Sequence, residues 1–296
     1  MPYVGRDAAS FTTVVDVTVS DDLTVTDDAA IGGELTVAGN VDFNGDLDVD
    51  GTTNLDVIDV DGAANFAATV TFADGVNIIT ASAGTANLRL GSNAGTSIES
   101  GGNNNVVLGD EAGTAITDGD ENTFVGHASG DAVTRGKNNV AVGKNALSTE
   151  VFGCRSVAVG HAALFNQTFS GETNVLNTAV GFSAGATITS GANNTLIGAL
   201  AGGAINTGDQ NTIVGTLAGD ALTTGNKNVA IGRDALTGGT TYDGNTAIGW
   251  QALKVADNTS GSDGNNIAIG ADAASAVSTG IRNVLIGVSC AATLRT

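Results

Sequence analysis

Between residues 105 and 287 one arrangement of apolar and polar positions recurs eleven times, variations on Asn-(Thr/Val)-x-(Val/Ile)-Gly. Its closing glycines are Gly109, Gly126, Gly143, Gly160, Gly181, Gly198, Gly215, Gly232, Gly249, Gly270 and Gly287, spaced by 17 residues except for two steps of 21. A weaker copy, Asn87-Leu88-Arg89-Leu90-Gly91, precedes them by 18. The residue before the glycine is always Val, Ile or Leu, an unbroken aliphatic ladder that reads as core. Three before the glycine stands Thr, Val or Ile, β-branched types that favour strands. Between them lies Ala in six copies and a larger apolar residue in five. Both faces of this strand are therefore apolar. A solenoid lone in water would show one polar face, so the second face is predicted to pack on another subunit.

The glycine permits a backbone bend that other residues reach only at a cost. Three positions later comes Ala in nine copies, with Ser129 and Cys290 in the other two. This is a tight inner corner, where Cys290 reads as a packing residue. A second short strand is expected around Ile116, Val133, Ile188, Ile205, Leu222 and Val277, seven after the glycine. A second glycine often closes it, as at Gly119, Gly136, Gly191, Gly208, Gly225 and Gly280. Asn opens ten of the eleven copies, and stacked identical turns can join such residues into an amide ladder. Two short strands and two turns in 17 residues make one coil of a parallel β-solenoid. About twelve coils, stacked at ~4.8 Å, occupy residues 87–296.

Residues 23–52 follow a period of six, with Leu23/Val25, Ala29/Ile31, Leu35/Val37, Val41/Phe43 and Leu47/Val49 at its first and third positions. An even period keeps every segment facing one way. So thin a core does not stand alone. Residues 20–86 are therefore read as an intertwined trimeric β-shaft, and residues 1–19 as an attachment segment with Tyr3, Arg6 and Phe11 as its contact candidates.

Composition narrows the function. Of 296 residues 43 are Gly and one is Pro, with aromatics at 4%; without a G-X-Y period this is not collagen. A net charge of −20, from 31 acidic against 11 basic residues, argues against binding the nucleic-acid backbone. No run of 18 apolar residues marks a membrane span. The first residues lack a basic-then-apolar leader, so the expectation is a protein assembled in the cytoplasm that either stays there or leaves by lysis. Two cysteines, Cys154 and Cys290, make no disulfide framework.

The repeated NxxIGxxA signal resembles the head repeat of trimeric autotransporter adhesins of the YadA type. It is similar above all to repeats in phage tail fibres, which often carry a shaft of short LTVxG units ahead of them. The resemblance covers residues 23–52 and 87–296. It implies a left-handed β-roll in each chain and a parallel homotrimer. The adhesins' signal peptide, coiled-coil stalk and membrane barrel do not appear, which turns the expectation toward a virion fibre. Many phage fibres end in a self-cleaving chaperone. Thr296 follows Gly287 by nine residues, so that chaperone is absent, has been removed, or is replaced by a separate protein.

Chemistry is sparse. His127 and His161 share the column after the glycine but lie two coils apart, about 10 Å, too far for one metal. Asp42, Asp46, Asp48, Asp50, Asp56, Asp59 and Asp61 could surround an ion on a threefold axis. They accompany no EF-hand or RTX pattern and read as solvated turn charges. No metal, no cofactor and no catalytic residue is assigned; GxSxG, HExxH and Walker motifs are missing. The expected role is a non-enzymatic trimeric fibre of a phage virion. Its partners would be other copies of the chain, tail or baseplate proteins at the amino terminus, and a host-surface glycan or protein. The alternatives are a bacterial trimeric surface adhesin and an ice-binding solenoid. The latter is disfavoured because the Thr column (Thr123, Thr178, Thr195, Thr212, Thr246) is interrupted by Val and shares its face with the ladder.

The residue after the glycine varies freely, and such variation argues exposure. Trp250 and Phe182 stand there. Both 21-residue steps insert into a turn, the first at Phe165–Glu172 and the second at Asp257–Gly264. Solenoid insertions often line a binding face. Trp250, Tyr242, Phe182, Phe165 and Phe169 are therefore the receptor-contact candidates, against the plainer reading of neutral insertions and cleft-filling aromatics.

Overall fold

The computed structural model describes residues 82–255, 264–277 and 279–292. The attachment segment, the hexad shaft and its Asp set lie outside the described residues. Those that are described form strands and turns without a helix. Twelve three-residue strands make one parallel sheet in chain order: β1 Leu88–Leu90, β2 Val106–Leu108, β3 Thr123–Val125, β4 Val140–Val142, β6 Val157–Val159, β8 Thr178–Val180, β9 Thr195–Ile197, β10 Thr212–Val214, β11 Val229–Ile231, β12 Thr246–Ile248, β13 Ile267–Ile269 and β14 Val284–Ile286. Register follows the repeat, Thr123 opposite Val140 and Val125 opposite Val142. A local pair of two-residue strands, β5 Gly153–Cys154 and β7 Thr173–Asn174, lies beside the first 21-residue step. The described residues thus form a parallel β-solenoid of about eleven turns; eleven steps of ~4.8 Å stack it over roughly 53 Å.

Each coil is closed by left-handed backbone. The repeat glycine sits at φ +127 to +141, a region favouring Gly. Two and four residues later the backbone is left-handed again, as at Glu111 (φ 58) and Gly113 (φ 52). The glycine also satisfies a steric demand. A Cβ on Gly198 would stand 2.7 Å from the carbonyl carbon of Gly215 in the next coil.

The structure reverses the assignment of the two strand faces. Between the two terminal strands of the sheet the middle residue is the core: Val107, Phe124, Ala141, Ala158, Leu196 and Ile213 are fully buried, whereas Arg89 of β1 and Leu285 of β14 are only partly so. The aliphatic ladder before the glycine, together with the Thr/Val column, faces outward. Val180, Ile197, Ile231 and Ile286 are among its exposed members. Side chains alternate along a strand, so a three-residue strand gives one residue to the inside and two to the outside. The predicted second strand is also absent from most coils. Ile116, Val133, Ile188, Ile205 and Leu222 are buried as expected, but in irregular backbone immediately after the turns. Those turns still bond coil to coil, Gly113 N–H to the Ser129 carbonyl and Thr117 N–H to that of Thr134.

The core has two ways of filling one slot. Where the middle residue is large, the residue four after the glycine is Gly in four coils, Val107/Gly113, Phe124/Gly130, Leu196/Gly202 and Ile213/Gly219, and Ala291 opposite Leu285 in the last. A Cβ on Gly130 would meet the Phe124 ring at 2.6 Å. Where the middle residue is Ala, that position is Leu in four coils: Ala141/Leu147, Ala158/Leu164, Ala230/Leu236 and Ala247/Leu253. All four leucines are fully buried and left-handed, φ 50 to 55. Close packing leaves room for only one bulky side chain there.

Candidate functional site

Among the described residues, the outer sheet face brings apolar columns together on one continuous surface. Columns such as Thr195/Ile197, Thr212/Val214 and Val229/Ile231 repeat across twelve strands. About 53 Å of stacking by ~10 Å of strand gives roughly 500 Å² of flat, mostly aliphatic surface. That is at the upper end for a patch left in water.

Two polar ladders hold this sheet in register. In the first, the repeat Asn residues from Asn105 to Asn266 are buried, and those inside the stack bond the coils on both sides. Asn211 donates its backbone N–H to Asn194 Oδ1 (2.9 Å) and its Nδ2–H to the Gly225 carbonyl (2.8 Å), while its own Oδ1 accepts the Asn228 N–H (3.0 Å). The amide ladder is as the repeat predicts, and the glycine ten after the first supplies its carbonyl. A second ladder runs the other way on the adjoining turn. Asp209 N–H donates to Asn226 Oδ1 (2.8 Å), and Asn226 N–H to Asp243 Oδ1 (2.6 Å). The sequence reading missed it, although Asp, Asn and Asp recur there at 17-residue spacing.

The first ladder breaks at one place, beside the first insertion. Ser156 stands where Asn is due, and Glu150 and Gln167 replace the usual aliphatic residue in successive coils. All three are fully buried. Glu150 Oε1 accepts the N–H of Val151 (2.9 Å), Phe152 (3.1 Å), Gly153 (2.7 Å) and Phe169 (3.2 Å). Gln167 Nε2 donates to Glu150 Oε2 (2.9 Å) and Ser156 Oγ (2.9 Å), and Gln167 Oε1 accepts Asn177 Nδ2–H (2.9 Å). A buried carboxylate is tolerated only when donors replace its water. Here amides do so, and they anchor the insertion. Glu150, Ser156 and Gln167 depart from the repeat together, in the coils at and before the first insertion.

The column after the glycine is exposed through most of its length. Phe182 is 55% exposed and Trp250 49%. His161 stacks on Phe182, with ring centroids 5.3 Å apart and planes 11° from parallel. His127 faces Asp110 (3.9 Å) and Glu111 (3.8 Å). Phe165 and Phe169 are half-buried. Tyr242 is a correction: at 1% exposure it belongs to the core, filling a coil that has Gly239 in place of the usual aliphatic residue. Of the second insertion only Gly264 is described. Tyr3, Arg6 and Phe11 lie outside the described residues.

Charges elsewhere form pairs on the surface. Lys137 Nζ lies 3.1 Å from Asp120 Oδ2, whose hydrogen bond and charge raise the lysine's pKa. Partial burial, then the charge of Asp234, push the Asp220 carboxyl up. Among the described residues no group of His, Cys, Asp and Glu is placed to hold a metal ion. Cys154 is buried with its thiol toward backbone groups, and Cys290 is half-buried in the last coil. No described helix is long and apolar enough to cross a membrane. Comparison with protein-family models, curated proteins and solved structures finds no match in any of the three.

Proposed function

We propose that this chain is a non-enzymatic fibre protein of a phage virion, assembled as a parallel homotrimer and involved in host-surface attachment. The observation that carries it is the aliphatic outer face of the twelve-stranded sheet. Burying about 500 Å² of it per subunit is worth roughly 12 kcal/mol gross at ~25 cal/mol/Å². Association itself costs about 4–15 kcal/mol. The face can therefore drive assembly, but three chains also intertwined over residues 20–86 would close it far more firmly. The left-handed β-roll implied by the family resemblance belongs to the same reading, as does attachment through residues 1–19.

Light scattering of the purified chain tests the assembly. Three times 29.0 kDa is expected, and a stable, monodisperse monomer would overturn the fibre reading. Deleting residues 1–19 tests the virion assignment. The truncated protein should keep that mass and fail to join particles; normal incorporation would refute the attachment role.

A further inference from the structure

We infer that the exposed side chains of Lys144, His161 and Phe182 form a binding site for an acidic carbohydrate, with the sugar's apolar face on the stacked rings and its carboxylate at the lysine. This deepens the host-contact reading above and rests on it.

Three independent features meet here. The first is the ring stack. His161 and Phe182 are both exposed and stack nearly parallel on each other from adjacent coils. An exposed aromatic pair offers apolar area that is fixed before a ligand arrives, so little ordering is lost on binding. The second is charge. The chain carries 31 acidic residues. Yet the two columns after the glycine hold none over six coils: His127/Ala128, Lys144/Asn145, His161/Ala162, Phe182/Ser183, Ala199/Leu200 and Thr216/Leu217. The aliphatic column before the glycine adds none. Lys144 stands within this window, and among the described residues it enters no ion pair. By contrast His127, at the window's edge, faces two carboxylates. An ammonium outside any ion pair, among three columns that carry no acid over these coils of a −20 chain, is placed to receive an anion.

The third feature is rigidity. His161 opens the 21-residue coil that the buried Glu150–Gln167 network pins to its neighbours. Its backbone carbonyl also accepts the Ser183 N–H (2.9 Å), next to Phe182. Lys144 and Phe182 are two coils apart, about 10 Å, a distance a disaccharide spans. Stacking on rings favours a sugar face, and the ammonium favours a carboxylated one.

The full-length chain should be titrated calorimetrically with oligogalacturonate, with the same oligomer after carboxyl reduction, and with poly-glutamate. Light scattering of every variant should accompany it. The acidic oligomer should bind, with about fivefold to tenfold loss on Phe182→Ala and on Lys144→Ala at unchanged mass. Thr216→Ala, in the same column, should bind as wild type. The reduced oligomer should bind at least tenfold more weakly. Absence of binding by the acidic oligomer overturns the proposal. So does poly-glutamate binding equally well, which would make the patch a general anion site, or a changed mass for Phe182→Ala, which would make the ring stack a subunit contact. If the wild type is a monomer and both variants still lose binding, the site stands and the fibre reading falls.

Discussion

At the scale of single residues, the repeat glycine and the repeat asparagine are fixed by different physics. The glycine is held by backbone conformation and by the next coil's backbone. Gly198→Ala would place a Cβ at 2.7 Å from Gly215, in a conformation unfavourable to L-residues, so a loss of about 2–4 kcal/mol is expected in chemical denaturation. The asparagine is held by unsatisfied groups. Asn211→Ala would strand the Asn228 N–H and the Gly225 carbonyl in a buried column, at about 2–4 kcal/mol for the two. Asp220 gives a pH prediction. Its pKa is raised in the folded state, so the fold binds that proton more tightly than the unfolded chain does. Stability from this group is gained as pH falls and lost as pH rises through the raised value. Asp220→Asn should therefore melt higher than wild type at neutral pH, with the difference shrinking on acidification. An equal difference at every pH would contradict the assignment.

At the scale of the coil, the paired choice at two core positions predicts strong coupling. Ala141→Leu should overpack its coil and Leu147→Gly should leave a cavity, each destabilising by roughly 2 kcal/mol or more. The double variant recreates the Leu196/Gly202 arrangement, so it should recover more than 1 kcal/mol of the summed loss in a double-mutant cycle. Additive losses would show that the two residues do not share a slot. This pairing was present in the sequence, because Ala with Leu and a bulkier residue with Gly alternate along the repeat. It goes unseen when each column is read alone. The coil length, the amide ladder and the parallel register were legible because each repeats eleven times over. The direction of the strand faces was not. Both columns are apolar, so hydropathy gives no sign, and only the size of the middle residue, often Ala, hints at the confined side. The missing second strand was hidden for a similar reason, since irregular backbone and a strand can bury the same aliphatic residue. Tyr242 looked like a contact because aromatics are rare here. Its coil lacks the usual aliphatic residue, which was the available clue that it is a core filler.

At the scale of the molecule, the account turns on the outward ladder. A sheet face that read as interior, and instead points outward along twelve strands with half-buried to exposed side chains, is the feature on which the proposed trimer rests. The most direct measurement compares inward and outward substitutions on two adjacent strands, with light scattering for mass and circular dichroism for fold. Val214→Asp faces outward and Ile213→Asp faces the core. Wild type should scatter as three times 29.0 kDa, and Ile213→Asp should unfold. Val214→Asp combined with Ile231→Asp should keep the strand signal while falling to a monomer. An outward pair that remains a trimer as stable as wild type would contradict the claim that this face is where the subunits meet.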